Sequence, residues 1–416
     1  MTSGRGTGRG RKRSGSTRPA RHPSSRATAP RGSGRDRTVT GNQTLDVDAL
    51  LDDPVTRIVV CCGSGGVGKT TTAAALGLRA AERGRSVVVL TIDPARRLAQ
   101  SLGLTELDNT PRPVEGSRGG TRGGRLDAMM LDMKRTFDEV VETQASPDKA
   151  RQILANPFYA ALSSSFAGTQ EYMAMEKLGQ LHARAEADGS WDLIVVDTPP
   201  SRSALDFLDA PEHLASLLDG RFIRLLIAPA RGPARLLSAG VGVVTAALNK
   251  VLGAQVLRDV QTFVAAFDTL FGGFRQRAER TYALLQASGT AFVVVATPEP
   301  DALREATYFV ERLAGERMPL AGVVVNRLQD DGVPSLGAVL AEQAADRLDR
   351  DGGDEAVVGL LRVHAERARL RHRQDRLRRG FAHTHPEVPS VAVAALAGDV
   401  HDLDGLRRVG ELLAGG

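Results

Sequence analysis

Thr56-Arg57-Ile58-Val59-Val60-Cys61-Cys62-Gly63-Ser64-Gly65-Gly66-Val67-Gly68-Lys69-Thr70-Thr71-Thr72 is the stretch that decides the fold. Ile58 to Val60 form a β-branched apolar run, which reads as a buried strand. Gly63 to Thr70 fits Gly-x-x-x-x-Gly-Lys-[Ser/Thr], and an alanine-rich helix is expected from about Thr71 to Ala81. Strand, glycine loop and helix, in that order, make a phosphate site. The glycines let backbone N–H groups converge on an anion, and the helix N-terminus adds partial positive charge there. The candidate phosphate-binding residues are Gly63, Ser64, Gly65, Gly66, Val67, Gly68, Lys69, Thr70 and Thr71. Lys69 would reach the β and γ phosphates of a nucleotide, and Thr70 would ligate Mg2+.

Outward from this unit, Ser86 to Ile92 predicts a second buried strand, ending at Asp93-Pro94-Ala95. An aspartate at a strand's carboxyl end, two elements after a phosphate loop, faces the nucleotide crevice. Trp191 to Asp197 is another apolar strand that ends in an acid, the Walker B form. Asp197 could therefore hold a Mg2+-bound water. Thr198-Pro199-Pro200-Ser201 follows as a stiff turn placed to sense a γ-phosphate. The candidate catalytic residues are Lys69, Asp93 and Asp197, and the candidate metal ligands are Thr70 and Asp197.

Further strands are expected at Ala291–Thr297, Leu320–Asn326 and Val388–Leu396, each followed by a helical pattern, the last helix being Leu403 to Leu413. Leu126 to Asp132 adds a short strand after a Gly- and Pro-rich loop over 111–125. Strands alternating with helices imply an α/β fold with a mostly parallel twisted sheet of about 6–8 strands, flanked by helices. The folded body is expected over 44–413, with helical insertions at about 134–187 and 203–288.

Of the 416 residues, 42% are hydrophobic and 4% aromatic, so a sizeable core must rest on Leu, Val and Ala. The formal net charge is +5. Residues 1–40 hold ten Arg and one Lys against Asp36, so the remainder is mildly acidic. Residues 1–43 are therefore read as a disordered basic tail. It lacks the interleaved aromatics that stack on bases, and nucleic acid is not the expected partner. Cys61 and Cys62 are the two cysteines, read as small buried hydrophobes. They leave no disulfide framework and no cysteine-built zinc or iron–sulfur site, and they point to a reducing cytoplasm. The first forty residues lack the apolar core of a secretory signal. The longest uncharged stretch of the hydrophobic middle, Leu236 to Asn249, is 14 residues, short for a bilayer. Residues 362–379 hold eight arginines and His372 against Glu366 and Asp375. A solvated helix face is one reading and a surface for an acidic partner the other.

Gly63–Thr71, Asp93-Pro94-Ala95, Asp197-Thr198-Pro199-Pro200, Asn326 and Gly398-Asp399-Val400 occur in one order with fitting spacings. Over roughly residues 56–413 the chain resembles the arsenite-pump and tail-anchored-protein-targeting ATPases, within the wider group of MinD and ParA proteins. The actinobacterial anion-transporting ATPase branch is the best likeness. The resemblance implies ATP and Mg2+ as ligands and a shape change on hydrolysis. It makes Asp93 the switch I residue that orients the attacking water, and it places Asp197 at the start of switch II. It makes Asn326 the residue that hydrogen-bonds the adenine edge, with Pro298 and the 396–402 loop closing around the base. A strand-end cap is the other reading of Asn326.

There are departures from the family pattern. The family's phosphate loop usually carries a second lysine, which reaches the partner's nucleotide across a dimer interface; here that position is Ser64. A homodimer would lack that charge in both sites, so a paralogue retaining the lysine is the preferred dimer partner. The family's Cys-x-x-Cys zinc clamp is absent, so no zinc is expected. Phe222, Leu225, Leu226, Ile227, Leu236, Leu237, Val241, Val243, Val244 and Leu252 could line a groove for a membrane-protein client, or pack on the core. The alternatives are a weakly active regulatory nucleotide-binding subunit and a MinD/ParA-like ATPase that binds membrane or DNA. Peripheral membrane association is compatible with either.

Overall fold

In a computed structural model, the residues described are 43–93, 97–117, 123–156, 159, 169–199, 273, 276–329, 333 and 335–415. The basic tail, Pro94, Ala95, Pro200 and most of the second helical insertion, including Phe222 to Leu252, lie outside them.

The strands are β1 (Ile58–Cys62), β2 (Ser86–Thr91), β3 (Arg112–Pro113), β4 (Arg125–Met130), β5 (Leu193–Asp197), β6 (Thr290–Ala296), β7 (Leu320–Leu328) and β8 (Ser390–Ala394). They form one sheet in the order β3-β4-β2-β5-β1-β6-β7-β8. All pairs are parallel except β3 with β4. After β1 the chain crosses over β5 to β2, and β6 later pairs on the other side of β1. A reversal of this kind opens a crevice beyond the carboxyl end of the central strand.

The helices are α1 (Val47–Asp52), α2 (Lys69–Glu82), α3 (Arg97–Ser101), α4 (Met133–Gln144), α5 (Pro147–Leu154), α6 (Thr169–Asp188), α7 (Pro300–Gly315), α8 (Ala338–Arg350), α9 (Glu355–Thr384) and α10 (Leu403–Ala414). Residues 276–286 are also helical.

Strand alternation divides the core in two. Val59, Cys61, Val87, Val89, Leu193 and Val195 pack on one face against Ala73, Ala74 and Leu78 of α2 and Leu406, Val409 and Leu413 of α10. Ile58, Val60, Val88, Leu90, Ile194 and Val196 pack on the other face, with Phe137, Met173, Phe309 and Phe381. The terminal helix thus spends its apolar side on the body. Asp402 caps it, its Oδ1 accepting from the Gly405 N–H at 2.8 Å.

Two local expectations change. Part of the loop read over 111–125 is the edge strand β3, with Arg112 opposite Ala128 and Pro113 opposite Asp127. Proline is tolerated on an edge, where no second neighbour needs its N–H. The helical span read over 134–187 is broken after Gln144, where Ala145 is extended, and α5 restarts with Pro147 in its first turn. Proline starts a helix well and continues one badly. Among the described residues no helix is long and apolar enough to cross a membrane.

At the amino edge of the sheet, Arg85 gathers several elements. Its Nε donates to Asp192 Oδ1 at 2.7 Å. Its Nη1 donates to the carbonyls of Leu51 and Asp53, and its Nη2 to those of Thr56 and Asp192. Truncation strands these acceptors and one carboxylate. Arg85→Ala is expected to lower unfolding stability in urea by about 2 kcal/mol. The site at the opposite edge of the sheet should keep its ligand affinity.

Candidate functional site

A cavity of about 960 Å3 lies beyond the carboxyl ends of the strands. Its lining includes Gly66, Gly68, Lys69, Thr70, Thr71, Asp93, Asn326, Arg327, Gln329 and residues 396–401.

The loop between β1 and α2 is shaped by what cannot fit. Gly63 has φ 147°, and a Cβ there would strike the Val295 carbonyl. Gly68 caps α2 in the left-handed region, at φ 98° and ψ 25°, and a Cβ there would strike the Asn326 amide. α2 has neither a side-chain cap nor an acid in its first turn, so its first N–H groups are left for an anion. Lys69, 5% exposed, folds back so that its Nζ donates to the Ser64 carbonyl at 2.8 Å. Burial lowers the Lys69 pKa, and the Asp197 carboxylate is the strongest of the charges that oppose this.

Alternation also explains Asp197. It continues the Leu193, Val195 series, so its side chain takes the α2 face. Thr91 continues the Val87, Val89 series, and the parallel register sets Asp197 opposite both Thr91 and Cys61. Thr91 Oγ1 donates to Asp197 Oδ2 at 2.9 Å. Asp197 is completely buried, and its Oδ1 has no hydrogen-bond partner among the described residues. Burial pushes its pKa up to about 6, although the Thr70 and Thr91 hydroxyls and the Lys69 ammonium pull it down. A buried carboxylate oxygen lacking a partner, beside a threonine hydroxyl, suits a hard cation such as Mg2+, which takes few protein ligands and completes its shell with water and phosphate.

Asp93 follows β2 by two residues and lines the cavity. Gln170 at the start of α6 holds this strand end, its Nε2 donating to the Ile92 carbonyl at 3.0 Å. Asn326 Nδ2 donates to the Val67 carbonyl at 2.8 Å, and its Oδ1 accepts from the Arg327 N–H at 2.9 Å. Asn326 thereby ties the glycine loop to β7. Arg327, next to it, sits at φ 59°, a strained value for a residue with a side chain. Pro298 is buried after β6 and does not line the cavity. Gly63, Ser64, Gly65 and Val67 belong to the loop but not to the lining. Cys61 and Cys62 are fully buried, and burial pushes both thiols up, that of Cys62 to about 12.

A family model described as Anion-transporting ATPase matches residues 56–346. The chain belongs to this ATPase family. A protein named "ATPase GET3" from Ajellomyces dermatitidis is 26% identical over 309 residues, which is 71% of this chain and 81% of that protein. Another of that name, from Malassezia globosa, is 29% identical over 181 residues, covering 44% of this chain and half of that protein's length. An "ATPase ASNA1 homolog" from Cryptosporidium parvum is 27% identical over 266 residues, 64% of this chain and 63% of that protein.

Within this family member, Thr91, Gln170, Arg327 and Gln329 join the site without having been singled out by motif. Thr91 did leave a trace, as a hydroxyl at the end of an otherwise apolar strand. The Asp197 shift has a thermodynamic sign. Its folded pKa lies above the unfolded value of 3.8, so the stability it contributes is present below pH 3.8 and is lost as pH rises through about 6. Asp197→Asn removes this dependence. Between pH 4 and pH 7.5 the ligand-free wild type should lose about 2 kcal/mol relative to the Asn variant in urea unfolding.

Proposed function

We propose that the chain is a Mg2+-dependent, ATP-hydrolysing switch that couples turnover to the handling of a client protein. The reading is carried by Asp197, a buried carboxylate with a partnerless Oδ1, set beside Lys69 and Thr70 at the start of α2. In this reading the loop from Gly63 to Thr71 binds the phosphates. The α2 N–H groups receive them, and Lys69 exchanges the Ser64 carbonyl for a phosphate oxygen. Thr70 and Asp197 would hold Mg2+, which supplies charge neutralisation between the phosphates when bound. Asp93 orients the attacking water and accepts its proton from the cavity side. Asn326 and the 396–402 loop hold the adenine, and Pro298 supports that end from behind. Phosphoryl transfer asks mainly for positioning and electrostatics, and this set of residues supplies both.

Asp93 lies two residues beyond β2 and Asp197 ends the neighbouring β5, so closing both on a γ-phosphate would pull on the segments that follow them. Those segments are where a client would feel the nucleotide state. The family and the names of the related proteins support an ATPase. The client, a membrane protein in our reading, rests on the apolar run Phe222 to Leu252, which is outside the described residues. A cytoplasmic location, with transient attachment at a membrane during delivery, follows from that client.

Ser64 supports a dimer with a lysine-bearing paralogue, which would supply the missing positive charge. It equally favours a second reading, a nucleotide-binding subunit with little turnover of its own. Steady-state and single-turnover ATP hydrolysis by the full chain separates the two. Asp93→Asn should retain nucleotide and lose on the order of 10²-fold in turnover. Ser64→Lys should raise turnover of the isolated chain on the order of tenfold or more. Equal single-turnover rates for wild type and Asp93→Asn would leave the regulatory reading. Fast turnover indifferent to Ser64→Lys would remove the case for a paralogue.

A further inference from the structure

The arginine-rich stretch of α9 is not absorbed by the nucleotide site. It walls a second cavity, of about 630 Å3, together with the first turn of α8. The apolar side of this groove is Val339 and Leu340, which are 66% and 59% exposed. The basic side carries Arg369, Arg371, Arg373 and Arg376. Arg369 pairs with Glu342. Arg373 and Arg376 are exposed, and neither makes an ion pair or hydrogen bond among the described residues. The α8 N-terminus in this groove has no side-chain cap and no acid in its first turn.

Arg371 links the groove to a residue that lines the larger cavity. It lines the groove, its Nε meets Asp375 Oδ2 at 3.1 Å, and its Nη1 donates to the Gln329 carbonyl at 2.6 Å. Gln374, one residue from Arg373 and 8% exposed, accepts from the Gln329 N–H through Oε1 at 2.8 Å. Gln329 and the strained Arg327 line the larger cavity. α9 thus grips, by both backbone polar groups of one residue, the loop that borders the larger cavity.

We propose that the α8/α9 groove is a docking site for an acidic amphipathic segment of a partner protein, and that its occupation is read at the nucleotide cavity through Arg371 and Gln329. The second half rests on the nucleotide reading given above. Carboxylates of the segment meet Arg373 and Arg376, and an aliphatic side chain covers Val339 and Leu340. A carboxylate that draws the Arg371 guanidinium toward the groove leaves Gln329 held by Gln374 alone. The loop then loosens, and nucleotide affinity falls. Charge distribution selects a short segment over a flat anionic surface. Toward the turn between α8 and α9 the exposed acids Asp346, Asp349, Asp351, Asp354 and Glu355 outnumber the exposed Arg347, Arg350 and Arg362, and Arg362 is itself paired with Asp349. A bilayer or a long polyanion lying along the hairpin would meet this acidic end as well as the basic one, whereas a short segment meets the basic end alone.

The test uses the full chain with a short helical peptide of glutamates and leucines, its Leu→Ser version, and vesicles of phosphatidylcholine with phosphatidylglycerol. Peptide binding is read by fluorescence anisotropy, and nucleotide binding with a fluorescent ADP. The leucine peptide should bind wild type about tenfold more tightly than the R373E/R376E variant, whose ADP affinity should match wild type. It should weaken ADP binding to wild type about fivefold, and this coupling should vanish in Arg371→Lys while the peptide still binds. Several results overturn the proposal: equal peptide binding by R373E/R376E, equal binding of the Leu→Ser peptide, binding of vesicles in place of the peptide, or an ADP affinity untouched by bound peptide. If wild type binds no ADP, the nucleotide reading fails instead, and the groove stands or falls on the peptide comparisons alone.

Discussion

Two glycines with no room for a side chain, Gly63 against the Val295 carbonyl and Gly68 against the Asn326 amide, set the geometry on which the site depends. The close approach at Gly63 lets β1 hand its chain into a loop between β5 and β6 without prising the sheet apart. The approach at Gly68 starts α2 directly over the crevice. Both residues adopt positive φ, which costs an ordinary residue of the order of 1–2 kcal/mol. The helix that follows is alanine-rich and lies flat on Val59, Val87, Val89 and Leu193, so its amino end is fixed relative to the strand ends. Everything that could act on a phosphate is then carried to one place by regular secondary structure.

The same regularity puts a carboxylate where water does not reach. Asp197 shares a face with Leu193 and Val195, and that face is covered by α2. Its neighbours are chosen by register, with Thr91 on one side and Cys61 on the other. A fully buried acid whose Oδ1 lacks a hydrogen-bond partner, beside the Thr70 and Thr91 hydroxyls, carries a desolvation cost. Such a cost is tolerated where a ligand discharges it. The strained backbone of Arg327 is a second local cost at the same cavity, maintained by Asn326 on one side and by the α9 grip on Gln329 on the other.

The sequence reveals those parts of the fold that depend on neighbouring residues. The glycine loop, the helix behind it, the acid just beyond β2 and the acid that ends β5 are local patterns, and the structure has this strand–loop–helix order, with the helix starting two residues early at Lys69. The central strands, apolar throughout, announced a sheet buried on both faces. What was hidden depends on register or on long-range packing. Thr91 meets Asp197 only because β2 and β5 pair without offset. Arg85 looks like any surface arginine until the carbonyls of Leu51, Asp53 and Thr56 converge on it. Arg371 and Gln374 sit in a helix whose composition reads as solvated, and only the position of β7 beneath it shows that they hold Gln329. Edge strand β3 escaped because its Pro113 argues locally for a loop, while an edge position permits it.

In the proposed reading, main-chain amides and one ammonium group form the phosphate cradle that anchors the site. Calorimetric titration of the full chain with ATP and with adenosine, each in the presence of Mg2+, tests it directly. One saturable site for ATP is expected, with adenosine weaker by on the order of 10³-fold, because the nucleoside lacks the groups that Lys69 and the α2 N-terminus receive. Adenosine binding as tightly as ATP, or no heat with ATP at all, would contradict it.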